Sequence, residues 1–315
     1  MANWVIVGTG ALSTLWAHGL QAAGANVVLY SRHEEDRKGV ALAITQHLHE
    51  AAEGDKVCAQ TRQFSAIGSV SDAPDDAIWL VMVKAWQVQP LLTELAAQGL
   101  TQATLILSHN GMGAGTSVQA AEADWQIYDL VTTHGAWRKS RTHSMHAGLG
   151  ESWLGKRHIG ADSADGKSGS VEPPPWFVEL AKALPPLHWE HDILHRRWQK
   201  LAINCAINPL ATLAGADNGE LRNDEYQPKI RAICEEIANV NPALDADALV
   251  KQVHQVAAAT ATNRCSMLQD LTAGRRTEIA FLNGFICREG ERLHVATRAN
   301  CELVRQIQQL ELLRV

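Results

Sequence analysis

The sequence predicts two parts, an α/β domain built on a doubly wound, mainly parallel sheet and then an all-α domain. Three observations predict this. Short, almost uninterrupted apolar runs alternate with helical stretches through the first half, as strands covered by helices on both faces do. A glycine-rich turn joins the first run to the first helix. From about residue 192 the β patterns stop and helical periodicity takes over. The expected domains are residues 1–191 and 192–315.

In chain order, the strands are expected at WVIVG (4–8), NVVLY (26–30), IWLVMV (78–83), TLILS (104–108) and QIYDLVTTH (126–134). Residues 161–175, rich in Gly, Ser, Asp and Pro, read as an exposed loop, and another αβ-like segment follows, PWFVELAKALPPLHWEHD. Helices are expected over 193–214, 227–239, 244–262, 267–290 with a break near Gly274, and 298–313. No internal repeat is visible.

The chain has 315 residues, enough for two cores, with 46% hydrophobic and 20% charged residues, an ordinary soluble composition. A net charge of −6 argues against nucleic acid or an anionic membrane as partner. The sequence enters a strand at once, so no secretory signal is expected, and no stretch nears the ~18 apolar residues of a membrane span. The six cysteines lack CxxC spacing and read as reduced thiols of a cytoplasmic protein. Three histidine groups, HLH (47–49), HSMH (143–146) and His191 with His195, have ligand-like spacing. None has a Cys or carboxylate at zinc-site spacing, so no metal is expected.

The turn is VIVGTGALS. Gly8 permits a tight bend, Gly10 lets backbone N–H groups approach a pyrophosphate, and Thr9, Ala11 and Leu12 complete the cradle at the helix mouth. Ser13 stands where the fingerprint usually has a third small residue, Gly. Position and length, a βαβ unit of ~30 residues, mark a Rossmann dinucleotide site. The second strand ends in LYSRH, with Arg32 where an NAD site would place Asp or Glu for the ribose 2′-OH. A guanidinium there can hold a 2′-phosphate, which points to NADPH; the other reading is a solvated arginine, with Glu34 and Glu35 close behind.

In WQKLAINCAINPL (198–210) every residue from Lys200 to Asn208 is apolar except Lys200, Asn204 and Asn208, which stand four apart as one slanting stripe on the helix. Such a stripe needs partners, which a small polar ligand or another part of the protein can supply. Asn110 follows the fourth strand, at the carboxyl end where ligands bind in open α/β sheets, and Lys84 follows the third. Lys84 reads either as a cofactor contact or as a solvated loop lysine. Ser266 opens SMLQ, which matches a capping box with Gln269. Glu278 lies in the apolar-periodic stretch TEIAFLNG, where its simplest reading is an exposed first-turn acid.

Together the blocks VGTGALS, VKAWQV (83–88), LSHNGMG (107–113), TTHGAWR (132–138), WQKLAINCAINPL, NGEL (218–221) and SMLQDLTAGRRTEIAFLNG (266–284) resemble the ketopantoate reductase family, in its order and over nearly the whole chain. The resemblance implies NADPH-dependent reduction of 2-dehydropantoate to (R)-pantoate, on the way to pantothenate and coenzyme A. It also implies a helical domain like that of 6-phosphogluconate dehydrogenase. Carried over by position, Lys200 resembles the catalytic lysine. Asn110, Asn204, Asn208 and Ser266 resemble substrate contacts, with Asn263 a possible addition. Arg32, Lys84, Asn110, Ala136 and Glu278 resemble cofactor contacts. Departures are Ser13, the long 161–175 loop, and Arg298 where a Pro is common.

The chemistry fits these residue types. Reducing a ketone takes a hydride to carbon and a proton to oxygen, and the developing alkoxide calls for a preorganised positive donor. A partly buried Lys200 has its pKa lowered from ~10.4 toward the working pH, and neutral asparagines can hold the substrate without stripping its proton. The alternatives are a reductase of another branched 2-oxo acid or a β-hydroxyacid enzyme on the same architecture, or a non-catalytic NADP-binding sensor. A monomer or homodimer is expected.

Overall fold

The computed structural model describes residues 1–50, 54–115, 124–157 and 172–313. Most of the Gly/Ser/Asp-rich loop (161–171) falls outside them. Two compact units emerge. One spans residues 1–109, 115–157 and 172–193; the other spans 110–114 and 194–313. The division thus falls after Ile193, and the short segment following the fourth apolar strand belongs with the helices.

In the first unit the apolar runs form parallel strands β1 (Asn3–Val7) and β2 (Asn26–Tyr30). The sequence missed the next two, β3 (Val40–Glu50) and β4 (Gly54–Ile67), an antiparallel pair whose register runs from Val40 opposite Phe64 to Glu50 opposite Gly54. Then come β5 (Ile78–Val81), β6 (Gln102–Leu107) and β7 (Asp124–Thr132), also from apolar runs. Three more were not read from sequence, β8 (Gly135–Ser140), β9 (His143–Gly148) and β10 (Ser152–Lys156), and β11 (Leu187–Trp189) closes the list. The order in the sheet is β11-β10-β7-β6-β5-β1-β2-β4-β3-β9-β8. Its centre, β7 to β4, is parallel; the β3–β4, β8–β9 and β7–β10 pairs are antiparallel.

Burial explains which strands were legible. β1 and β5 are covered on both faces and read as unbroken apolar runs. β8 has four exposed residues in succession, and no apolar pattern can register there. Helices α1 (Ala11–Ala22), α2 (Ala85–Ala97) and α3 (Phe177–Ala183) belong to this unit, whose core gathers Trp4, Ile6, Trp16, Leu20, Leu80 and Ile106.

The second unit holds α4 (Ile193–Ala214), α5 (Gln227–Val240), α6 (Ala246–Ala259), α7 (Ser266–Thr272), α8 (Asn283–Leu293) and α9 (Arg298–Leu312). The break near Gly274 is real: that residue has φ +64° and follows α7, so one expected helix is two. α4 runs through the core, with Leu201, Ala202, Cys205, Ala206 and Leu210 buried. The expectation of reduced thiols throughout fails at one point: Cys287 of α8 and Cys301 of α9 are joined in a disulfide, Cα–Cα 5.7 Å, while Cys58, Cys205, Cys234 and Cys265 are free. Adjacent helices bring together two cysteines whose 14-residue separation gives no motif. Among the described residues, no helix is long and apolar enough to cross a membrane, and no three His, Cys, Asp or Glu cluster as metal ligands.

Candidate active site

In the first unit the candidate cofactor residues start where β1 ends. Gly8 has φ +110°, and a Cβ there would lie 2.6 Å from the Met82 carbonyl oxygen, so only glycine fits. Gly10 caps α1 in extended conformation with no side-chain cap, and the first turn carries no acidic residue. The fold itself leaves room at Gly10, where a Cβ would meet nothing closer than the Ser13 hydroxyl at 3.6 Å. An uncapped helix N-terminus behind that space is what a pyrophosphate requires, so the residues fit a dinucleotide. Ser13 is buried and turned inward, its hydroxyl donating to the Gly10 carbonyl at 2.8 Å, as Thr14 does at 3.0 Å. Thr9, Ala11 and Leu12 are half-buried around them.

Arg32 is exposed just past β2 and ion-pairs with Glu94 of α2. The buried acid four residues further along, Asp36, is already committed. It accepts from the Ser31 hydroxyl at 2.5 Å and from Arg141 at 2.6 and 2.7 Å. Burial pushes the Asp36 carboxyl up, but these hydrogen bonds outweigh it and hold it below its usual range. Lys84 is half-buried at the N-cap of α2, its backbone N–H donating to Gln87 Oε1 at 3.2 Å, so it is not a solvated loop residue. Ala136 lies half-buried in β8, in register with His146.

In the second unit, Lys200 and Asn204 are half-buried on α4 and Asn208 is buried. Burial lowers the Lys200 ammonium from 10.5 to about 8, and the nearby Glu278 carboxylate pulls the other way. Glu278 is 5% exposed, which corrects its reading as a solvated first-turn acid. It precedes a 3-10 turn at Ile279–Phe281 and accepts from Asn110 Nδ2 at 3.0 Å. Gly111 makes that approach possible. Its φ is +79°, and a Cβ would sit 2.2 Å from the Phe281 carbonyl oxygen. Next to it, the Met112 N–H donates to that same oxygen at 2.9 Å. Lys200, Glu278 and Asn110, 168 residues apart in the last two cases, therefore form one charged and polar group.

Ser266 and Asn263 are both exposed. The capping box expected at Ser266 does not form. Cys265 is the N-cap, in extended conformation, its sulfur accepting the Leu268 N–H at 3.4 Å and donating to the Asn208 carbonyl at 3.4 Å. Gln269 donates instead to the Arg264 carbonyl at 2.8 Å. Ser266 is thus the first helical residue, its hydroxyl not used as the cap, one position from a side chain that touches the Asn208 backbone.

Sequence reasoning missed Cys265, Pro209 and Asn283. The signal for Pro209 stood in plain view: a proline inside a helix strips a hydrogen bond and demands compensation.

The chain matches two family models, ketopantoate reductase PanE/ApbA over residues 4–158 and ketopantoate reductase PanE/ApbA C terminal over residues 192–311. It belongs to the ketopantoate reductase family. A 2-dehydropantoate 2-reductase of Vibrio cholerae is 33% identical over 315 residues, 98% of each chain. Among solved structures, a PanE/ApbA family ketopantoate reductase from Ralstonia eutropha superposes with TM-score 0.79 at 22% identity, covering 99% of each chain. A D-mandelate dehydrogenase with NADH and anilino(oxo)acetate gives TM-score 0.78 at 18% identity, again 99% of each chain.

Proposed function

We propose that this chain, a ketopantoate reductase family member, reduces 2-dehydropantoate to (R)-pantoate with NADPH as hydride donor. The observation that carries the reading is Lys200, an ammonium at about 8 on the polar stripe of a helix whose Leu201, Ala202, Cys205 and Ala206 are buried, with Glu278 and Asn110 beside it. A donor with that pKa is protonated roughly ten to one at neutral pH and still releases its proton readily.

Gly8, Gly10 and the first turn of α1 would hold the pyrophosphate, with Arg32 exchanging Glu94 for the 2′-phosphate. The bound nicotinamide supplies a hydride. Lys200 Nζ hydrogen-bonds the ketone oxygen, stabilises negative charge as it develops, and transfers its proton there, leaving a hydroxyl and a neutral amine that water reprotonates. Glu278 favours the charged lysine and so keeps the donor loaded. Asn204, Asn208 and Ser266 would bind the substrate's carboxylate and hydroxyl, Asn110 orients Glu278, and Lys84 and Ala136 complete the cofactor contacts.

Oxidation of NADPH measured with 2-dehydropantoate and other branched 2-oxo acids, alongside reduction of NADP+ measured with β-hydroxyacids, tests the assignment. The highest kcat/KM is expected with 2-dehydropantoate. A higher value with another acid moves the chain to the second reading, a different 2-oxo acid reductase, which the fold shared with D-mandelate dehydrogenase favours. NADPH bound without turnover of any acid would leave only a sensor.

A further inference from the structure

In an α-helix the N–H of residue 209 would donate to the carbonyl of residue 205, and Pro209 has no N–H to give. Cys205 is fully buried, so water does not reach that carbonyl. Its donor comes from another helix: Asn283 Nδ2, at the start of α8, donates to the Cys205 oxygen at 2.9 Å. Asn283 is 0% exposed and sits in a relay. Its Nδ2 also donates to Asn300 Oδ1 at 2.9 Å, and Asn300 Nδ2 donates to Glu236 Oε2 at 2.8 Å. The two Glu236 oxygens accept the Ala299 and Asn300 N–H groups at 2.8 and 3.0 Å, which fixes the N-terminus of α9. α5, α9, α8 and α4 are thus tied through one polar chain inside the core.

The place of Asn283 in sequence gives the relay its meaning. Cys205 adjoins Asn204 and lies in sequence between Lys200 and Asn208, on the buried side of the same helix. On the other side, Asn283 follows Glu278 after the 3-10 turn Ile279–Phe281 and Leu282, and the Phe281 carbonyl also accepts the Met112 N–H. One carboxamide therefore anchors both partners of the ammonium–carboxylate pair. It grips the backbone of the helix bearing Lys200 and, through its own backbone, the turn bearing Glu278.

We propose that Asn283 is a positioning residue for proton delivery: it replaces the donor that Pro209 removes and so sets Lys200 against Glu278. This rests on the reading of Lys200 as proton donor. The test is a double-mutant cycle of Asn283→Ala and Pro209→Ala, measured by thermal midpoint, kcat, KM for each substrate and the alkaline pKa of kcat/KM. In N283A the Cys205 carbonyl loses its donor; kcat is expected to fall about 10- to 100-fold while KM for NADPH holds and the alkaline pKa moves. P209A alone stays near the unsubstituted protein. In the double variant the helix makes its own bond again, and kcat is expected to return to within about threefold with the alkaline pKa restored. If N283A does not fold, the double variant is expected to be recovered folded and active.

An N283A protein with unchanged kcat and pKa overturns the proposal, as does a double variant no better than N283A. A drop in thermal midpoint with the pH profile untouched reduces Asn283 to a packing residue and overturns it equally. Lys200→Ala, run in parallel, keeps the two questions apart: full turnover there refutes lysine chemistry, while the rescue of the thermal midpoint by P209A reports on the hydrogen bond alone.

Discussion

Replacing Lys200 with Met is expected to make the protein more stable and nearly inactive. The ammonium is lowered from 10.5 to about 8 in the fold, and the gap corresponds to roughly 3 kcal/mol. The sign follows from linkage. Because the folded-state pKa is depressed, the unfolded chain binds the proton more tightly; the penalty is complete below about pH 8 and is relieved as pH rises toward 10.5. The pull of Glu278 is already contained in the value of about 8. Lys200 is only half-buried, so solvent screening trims the expected gain to about 1–3 kcal/mol. Met keeps the length of the chain without the charge. Turnover loses its proton donor and is expected to drop ~10²–10⁴-fold while NADPH still binds. Urea denaturation and initial-rate measurements on one preparation read both effects. A variant that keeps its turnover removes Lys200 from the chemistry. One that is inactive and less stable makes the lysine a structural support of α4, and the argument from a costly buried charge fails.

Three other outcomes can be checked independently. Arg32→Ala should raise KM for NADPH well above its effect on NADH; an equal loss with both cofactors would falsify the 2′-phosphate role. Gly111→Ala forces a side chain into a +79° φ and within 2.2 Å of the Phe281 oxygen, so a loss of at least ~2 kcal/mol in chemical denaturation is expected, with kcat falling as Asn110 is displaced; a neutral effect would contradict the docking of that segment. His134 is buried beside His146, and burial first, then that neighbour, lower its pKa from 6.5 to about 4. Its folded pKa is depressed, so stability present above pH 6.5 is lost as pH falls toward 4, by roughly 3 kcal/mol in all. His134→Gln should flatten that acid limb in denaturation at successive pH values, and an unchanged limb would assign it elsewhere.

What the sequence made legible follows from how each signal arises. Buried parallel strands announce themselves because both faces are apolar, and β1, β2, β5, β6 and β7 stood out for that reason. β3 opens on the short apolar stretch Val40–Ile44 and then turns polar, β4 mixes polar and apolar residues irregularly, and β8 is largely solvated, so none of the three shows an apolar run as long as the strand itself. Lys200, Asn204 and Asn208 were visible through helical spacing alone. Glu278 was not, because its burial depends on Gly111 and Met112, which meet its turn from far away in sequence. Cys265 displaced Ser266 as the cap since backbone conformation, rather than intrinsic preference, selects the capping position. Asn283 gave no signal of its own inside the helix expected over 267–290, and its contact with Cys205 appears only when the carbonyl orphaned by Pro209 is traced to its donor.

The most direct test of Lys200 as the proton donor is the pH dependence of kcat/KM for reduction of 2-dehydropantoate by NADPH. The account predicts a plateau that gives way near pH 8, with roughly a tenfold loss for each further pH unit, and no such limb in the residual rate of Lys200→Ala. A rate that stays level toward pH 10, or the same limb persisting in the alanine variant, would contradict it.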